Sequence, residues 1–125
     1  MDYEQILDEV RDAAAKAQGL TPEEGRIANI SRLHPNKRHA AKTVRASVAL
    51  AMSRHIGRSA HWWLVQIGVS RPAYLMAWMR QQTMPVLRAT SAYRAASRTA
   101  RLRAPEKGEE GSAGVIPQMD REALL

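Results

Sequence analysis

The distribution of charge is the feature that most restricts how this chain can fold. Residues 25–105 contain no Asp or Glu, while the same stretch carries fifteen Arg and Lys residues. All twelve acidic residues lie in the flanks, at 2–24 and 106–122, and the net charge is +7. A solvated helical surface usually alternates charges to form i,i+4 pairs. An acid-free stretch must fold against its own repulsion, which a bound polyanion relieves.

Nucleic acid is the polyanion that this stretch favours. Thirteen of its fifteen cations are Arg, and the planar guanidinium forms paired hydrogen bonds with phosphates and guanine edges. An anionic membrane surface and an acidic protein partner are the alternatives. Because no apolar run reaches the roughly 20 residues of a membrane helix and the N-terminus is acidic, we expect a cytoplasmic protein without membrane partners.

The residue types needed for metal binding and catalysis are poorly arranged. Cysteine is absent, so packing alone must hold the fold together. The histidines are His34, His39, His55 and His61, and no two are spaced i,i+4 with a carboxylate nearby. A nucleophilic triad would need a carboxylate from a flank, and no glycine loop with Lys-Ser or Lys-Thr is present. We therefore expect no metal, no cofactor and no catalytic residues.

Proline, glycine and capping residues divide the chain into short amphipathic helices. The pattern predicts a helix over 2–18 and a second from the capping box at Thr21, ending before Pro35 and turning Ile27, Ile30 and Leu33 inward. A basic turn at 34–39, a third helix to about residue 55 and one last helix beyond residue 83 complete this prediction. The fold class is all-α: a compact bundle of five or six short helices over 1–103 with a flexible tail over 104–125, which offers a site for a protein partner.

The sharpest local motif lies between residues 59 and 82. Ser59 is expected to cap a short helix over 60–67, Gly68 to adopt the left-handed conformation of a tight turn, and Ser70 to cap the helix from 71 to about 82. Two short helices joined around a glycine have the form of a helix-turn-helix, although ordinary helical hairpins share it. The motif requires contacts at the corner among four apolar residues: Leu64, Ile67, Val69 and Leu75.

The order of these segments resembles the C-terminal DNA-binding domain of the bacterial replication initiator DnaA, which is grouped with the Trp repressor. The similarity spans 3–81 and is carried by residues 6–10, 19–24, 36–38, 48–54 and the motif at 59–82. Two features differ: Pro72, Ala73, Tyr74 and Leu75 replace the family's acid-His-Thr-Thr signature, and an insertion follows Glu24. The initiator's own DNA box is therefore not the expected target, and its ATPase activity is not expected because the chain has no phosphate-binding glycine loop.

The resemblance implies which side chains contact duplex DNA. It assigns base readout to Ser70, Arg71, Ala73 and Tyr74. It assigns phosphate contacts from the basic loop to Lys37, Arg38, Lys42 and Arg45. We also expect backbone contacts from Arg58, Ser59 and His61, and from Arg94, Arg98 and Arg101, which fall along one side of the last helix and could instead contact a second subunit.

Two functions remain open at this point. The first is a sequence-specific DNA-binding transcriptional regulator of phage, plasmid or chromosomal origin, acting as a homodimer. The second is a non-enzymatic structural or adaptor protein, such as a phage packaging subunit, a nucleoid-type protein or an inhibitor, that uses the basic face without base readout. Stacking of Trp62, Trp63 and Trp78 on unpaired bases would indicate single strands or RNA, but core packing is favoured for Trp63 and Trp78.

Overall fold

Seven α-helices and one 3₁₀ turn make up residues 2–105, the part of the chain that this computed structural model describes, and no strand occurs in that range. The helices are α1 (Tyr3–Ala17), α2 (Pro22–Arg26), α3 (Pro35–His55), α4 (Ala60–Gln66), α5 (Pro72–Gln82), α6 (Met84–Arg88) and α7 (Ser91–Arg103), with the 3₁₀ turn at Ile30–Arg32. The all-α prediction is confirmed, with seven helices rather than five or six. The predicted tail falls outside the described residues from 106 onward.

Helix α3 is the centre of the fold. All of its residues from 46 to 53 are buried, and the helix packs against α1, α4 and α7. Ala46, Ala49 and Ala51 have no exposed surface. A helix that is buried all round must be surrounded by other elements, and the small alanine side chains let those neighbours approach closely. The core therefore forms around this helix.

Helices α1 and α7 pair along their length and cover one side of α3. Gln18, just after α1, donates from Nε2 to Ser91 Oγ at the start of α7 over 3.1 Å. Arg103 Nη1, at the end of α7, lies 3.2 Å from Glu9 Oε1. These contacts at both ends show that the two helices run in opposite directions. Gly19, with φ of +74°, follows the end of this first helix, close to the predicted end at residue 18.

The segment after Thr21 begins as predicted but stops early. The capping box is present, since Thr21 Oγ1 accepts from Glu24 N–H over 3.1 Å and Glu24 Oε1 accepts from Thr21 N–H over 2.9 Å. The expected continuation to Pro35 is wrong, because α2 ends at Arg26. Two side chains compete with the helix for backbone groups: Asn29 Oδ1 accepts from Ser31 N–H, and Arg45 donates to carbonyls of residues 27 and 28.

The shortened helix changes the burial of the three apolar residues predicted to turn inward. Leu33 is buried, whereas Ile27 and Ile30 are only partly buried against the core. The backbone between residues 27 and 33 is therefore a loop with one 3₁₀ turn, and it offers polar groups to its surroundings that a helix would have satisfied internally.

The predicted basic turn at 34–39 is instead the beginning of α3. Pro35 occupies the first helical position, where its fixed φ suits a helix and its missing N–H is not needed. His34 Nδ1 accepts from Asn36 N–H over 3.3 Å and so caps the helix. Lys37 and Arg38 consequently project from the first turns of a helix rather than from a loop.

The chain beyond Thr83 forms two helices where one was predicted. Thr90 is the N-cap of α7 and accepts from Tyr93 N–H over 3.1 Å. Its hydroxyl also donates to the Leu87 carbonyl over 2.7 Å, which ties it to the end of α6. A threonine that satisfies the ends of two helices fixes a break between them.

Candidate nucleic-acid interface

The corner between α4 and α5 is closed by hydrogen bonds at the end of α4. Gly68 has φ of +86°, and its N–H donates to the Val65 carbonyl over 3.1 Å while Val69 N–H donates to the Leu64 carbonyl over 3.0 Å. This pair of bonds is the Schellman arrangement that commonly ends a helix at glycine. At the other end of α4, Ser59 Oγ accepts from Trp62 N–H over 3.1 Å, as predicted.

The apolar residues that the motif requires all belong to the core. Leu64 and Leu75 are buried, and Ile67 and Val69 are partly buried against the same cluster. Leu64 comes from α4 and Leu75 from α5, and the two helices contact each other. The turn at 67–71 therefore joins two packed helices.

The predicted cap of α5 is wrong in detail. Arg71, not Ser70, stands at the N-cap position, and no side chain caps the helix there. The helix begins at Pro72, whose φ suits a first helical position, so the cap falls one residue later than expected. Ser70 and Arg71 thus lie in the turn immediately before α5.

The start of α5 presents an exposed surface. Ser70, Arg71, Ala73 and Tyr74 are all exposed, and Tyr74 retains 63% of its accessible surface. On the opposite side of the helix, Leu75, Met76 and Met79 are buried. The four side chains predicted to read bases are therefore all accessible, within five consecutive residues at the start of α5.

The loop at 27–33 lies beside this turn. Ala28, Asn29, Ile30 and Arg45 form an open groove of about 430 Å³ with Gly68 and Ser70. Asn29 and Arg32 are exposed on this loop, and neither was predicted to contact DNA. The sequence does indicate a turn at this place, because asparagine favours turns over helix interiors. We call the surface formed by Ser70, Arg71, Ala73, Tyr74 and Asn29 the corner surface; Arg32 lies three residues after Asn29 on the same loop.

Arg45 bonds to the loop that borders the corner surface. Its guanidinium donates to the carbonyls of Ile27 and Ala28. Burial, with a smaller effect from neighbouring Arg11, lowers the pKa of Arg45. A guanidinium that bonds two loop carbonyls holds the loop in place, so the structure gives Arg45 a role in shaping this surface.

Two other predicted phosphate contacts also have intramolecular partners. Arg38 donates from Nη2 to the Ser31 carbonyl over 2.8 Å and from Nε to the Leu33 carbonyl over 3.2 Å. Lys37 Nζ lies 2.6 Å from Glu24 Oε2, and this hydrogen bond, followed by the backbone N–H of Thr21, lowers the pKa of Glu24. Both cations therefore attach the loop and α2 to α3.

Lys42, the fourth predicted phosphate contact, lies near an aromatic ring. Its Nζ is 6.0 Å from the centre of the Trp78 ring, a distance at which cation–π attraction is still felt. The imidazole of His39 meets the same indole edge-on, with ring centres 5.9 Å apart. Trp78 thus joins the first turns of α3 to α5.

The three backbone contacts predicted before and within α4 differ in exposure and in the groups that they contact. His61 is exposed. The hydroxyl of Ser59 is used in capping α4. Arg58 has φ of +64°, and its guanidinium lies 5.1 Å from the centre of the Trp62 ring.

The tryptophans are largely used in packing. Trp63 has no exposed surface, and its Nε1 donates to the Gly57 carbonyl over 2.6 Å. Trp62 and Trp78 are partly buried against the core, and Trp62 is in contact with Tyr3. The prediction of a core role is confirmed for Trp63, and Trp62 is the outward member of the adjacent pair.

The last three predicted backbone contacts lie on a different surface. Arg94, Arg98 and Arg101 are exposed and line an open groove of about 250 Å³ with Tyr93 and Ser97. We call this surface the α7 groove. The structure thus distributes the predicted DNA contacts over at least two surfaces.

Comparison with known proteins does not add to this geometry. A scan against protein-family models found no match, and searches of curated proteins and of solved structures found none either. Within residues 2–105, no cluster of three His, Asp or Glu side chains is placed to hold a metal ion. None of the helices in that range is long and apolar enough to cross a membrane.

Proposed function

We propose that this chain binds double-stranded DNA, with α4, the turn at 67–71 and α5 acting as a helix-turn-helix. The observation that carries this proposal is the exposed start of α5, held at a packed corner within an acid-free stretch of the chain. A major groove is wide enough to admit an α-helix. The corner surface offers such a helix end together with a loop that carries Arg32.

The chemistry of the corner surface suits a duplex. The Arg71 guanidinium can form two hydrogen bonds with guanine O6 and N7, and the Ser70 hydroxyl can bond to any base edge. The methyl group of Ala73 suits contact with a thymine methyl. We expect Asn29 and Arg32, on the adjacent loop, to contact phosphates and so orient the protein on the duplex.

The resemblance to the DnaA domain and the Trp repressor group is part of this proposal. It supports a docking mode in which α5 enters the major groove and a neighbouring basic segment contacts phosphate. We further propose a regulatory role without enzymatic activity. Two copies would act together, because one corner of this size reads too few base pairs for tight specific binding.

One observation favours the second candidate function, a structural or adaptor protein that binds DNA without reading its sequence. Pro72 and Ala73 occupy positions at the start of α5 where larger polar side chains would reach base edges. The polar groups left there are few, chiefly those of Ser70, Arg71 and Tyr74. This composition would reduce discrimination among sequences while leaving affinity for phosphate intact.

Selection of bound sequences from a random duplex library at near-physiological salt distinguishes the two functions. A regulator enriches a defined site, whereas a non-specific protein returns an unenriched pool. On an enriched site, Arg71→Ala should lose about tenfold or more in affinity and relax preference at one base pair. Arg80→Ala is the matched control, because Arg80 is also exposed on α5 but lies near its far end.

The same selection can contradict the proposal in a specific way. If Arg71→Ala and Arg80→Ala weaken binding equally on every sequence, the start of α5 does not read bases. Replacement of Arg32 should lower affinity for all sequences alike and reduce the salt dependence, as expected for a phosphate contact.

A further inference from the structure

The α7 groove is a second cationic surface that the corner surface does not include. Arg94, Arg98 and Arg101 follow one another at i, i+4 and i+7, so they form a row on one face of α7. Seven residues of α-helix rise by about 10 Å. One strand of B-DNA carries a phosphate about every 3.4 Å of helix axis, so a row of this length spans several phosphates.

The row has no carboxylate partner among the described residues. The ion pairs observed in residues 2–105 join acids of the first 24 residues to Arg11, Arg26, Lys37 and Arg103. Arg103 is the residue of α7 that pairs, and it does so with Glu9. The three cations of the row are thus uncompensated within this part of the fold, which is the condition under which an external polyanion binds.

The end of α3 adds to the same surface. Arg54 Nη1 lies 3.3 Å from Tyr93 Oη, and His55 Nε2 lies 2.7 Å from Ser97 Oγ. Arg54 is exposed. Three arginines therefore line one open groove and Arg54 contacts Tyr93, which also lines it; an open groove suits an extended backbone of phosphates better than a small enclosed anion.

The position of Arg54 also shows where this groove faces. Arg45 borders the groove beside the turn at 67–71, and Arg54 follows nine residues later on α3. Nine residues correspond to about 2.5 turns of α-helix, or half a rotation. The two residues consequently point to opposite sides of α3. The α7 groove is thus contacted by α3 residues that lie about 80° (His55) and 180° (Arg54) around the helix from Arg45, so it is a surface separate from the corner surface.

We propose that the α7 groove binds the phosphate backbone of a second duplex, so that one protein molecule holds two DNA segments together. This inference rests on the proposed function, since it takes the first duplex to occupy the corner surface. The second contact involves phosphates alone and is independent of sequence. An acidic protein segment on the groove is the competing outcome.

A bridging assay with the full chain tests the proposal. A biotinylated duplex is fixed to beads, and retention of a second, fluorescent duplex is measured with and without protein at low ionic strength. The groove variant Arg94→Ala/Arg98→Ala should retain at least tenfold less second duplex, while its affinity for one free duplex falls less than threefold. The control variant Arg80→Ala/Arg88→Ala loses the same charge at exposed positions outside the groove and should bridge normally.

The outcomes separate this proposal from the one on which it rests. If the parent protein binds one duplex but retains no second, bridging is wrong and the corner-surface proposal stands. Bridging that persists in the groove variant assigns it to another surface or to a second copy and overturns the inference. If the groove variant loses single-duplex affinity and bridging equally, both surfaces contact one bent duplex and the inference is wrong. Absence of any duplex binding overturns both proposals.

Discussion

The substitution Gly68→Ala measures how much the corner between α4 and α5 depends on one backbone conformation. Gly68 has φ of +86°, and a Cβ built there would have no heavy atom within 4 Å. The cost therefore contains no clash and consists of the left-handed conformation alone, about 1–2 kcal/mol for a non-glycine residue. For a domain of this size, 1 kcal/mol lowers Tm by roughly 4–8 °C.

Gly25→Ala is the matched control, because the same added methyl group is unfavourable there for a different reason. Gly25 does not have a positive φ, but its Cβ would lie 2.7 Å from the Ala15 Cβ, in the contact between α1 and α2. Overpacking of this kind costs about 1–3 kcal/mol. Gly68→Asn should recover part of the loss at residue 68, since Asn tolerates the left-handed region, whereas Gly25→Asn should be worse than Gly25→Ala.

Urea denaturation followed by circular dichroism gives the free energy of unfolding for all four variants. Unchanged stability in Gly68→Ala would refute the left-handed turn. A loss above about 3 kcal/mol would refute the open space around it. Identical rankings of Ala and Asn at both positions would refute the distinction between conformational and steric cost.

Three further perturbations test the packing and charges behind the interface. Trp63→Phe should lower the free energy of unfolding by about 2–4 kcal/mol in urea titrations, because the Gly57 carbonyl loses its donor inside the core, whereas Trp62→Phe should cost less than about 1 kcal/mol. Because its pKa is lowered, Glu24 adds stability that is present above its ordinary pKa of about 4.3 and is lost as pH falls through its folded-state value. Glu24→Gln should therefore flatten the acid side of a Tm-against-pH curve, and an unchanged curve would contradict the assignment. Arg38→Ala should destabilise the fold by about 1–3 kcal/mol through two loop carbonyls; full stability with weakened DNA binding would instead indicate a direct phosphate contact.

The parts of the fold that follow from short-range chemistry were predictable from the sequence. The capping box at Thr21, the Ser59 cap and the left-handed Gly68 depend on residues within a few positions of each other. Local signals of this kind come from residues that are close together in the sequence. Their outcomes therefore agreed with the structure.

The segments that differed are controlled by side chains that bond to backbone groups, either far along the chain or at a helix end. Arg45 bonds carbonyls about 17 residues earlier, in the segment where α2 was expected to continue. Thr90 divides the last helix because its hydroxyl bonds the end of α6 as well as capping α7. Neither competition is visible in hydrophobic periodicity, which reports only which face of a helix is apolar.

The candidate site was also predicted only in part. Ser70, Arg71, Ala73 and Tyr74 were assigned to base readout through the resemblance, and all four are exposed, while Leu75 is buried as the motif requires. The supporting roles of Arg38 and Arg45 were not predicted, because the loop that they hold was expected to be helical. Once that loop is present, two basic residues assigned to phosphate acquire carbonyl partners within the protein.

Titration of a fluorescent duplex with the purified chain, at salt concentrations from about 50 to 200 mM, tests the central claim most directly. We expect saturable binding whose affinity falls linearly with salt on logarithmic axes, with a slope that shows several phosphates neutralised. A chain that leaves the duplex unbound at the lowest salt, while circular dichroism shows it folded, would contradict the account.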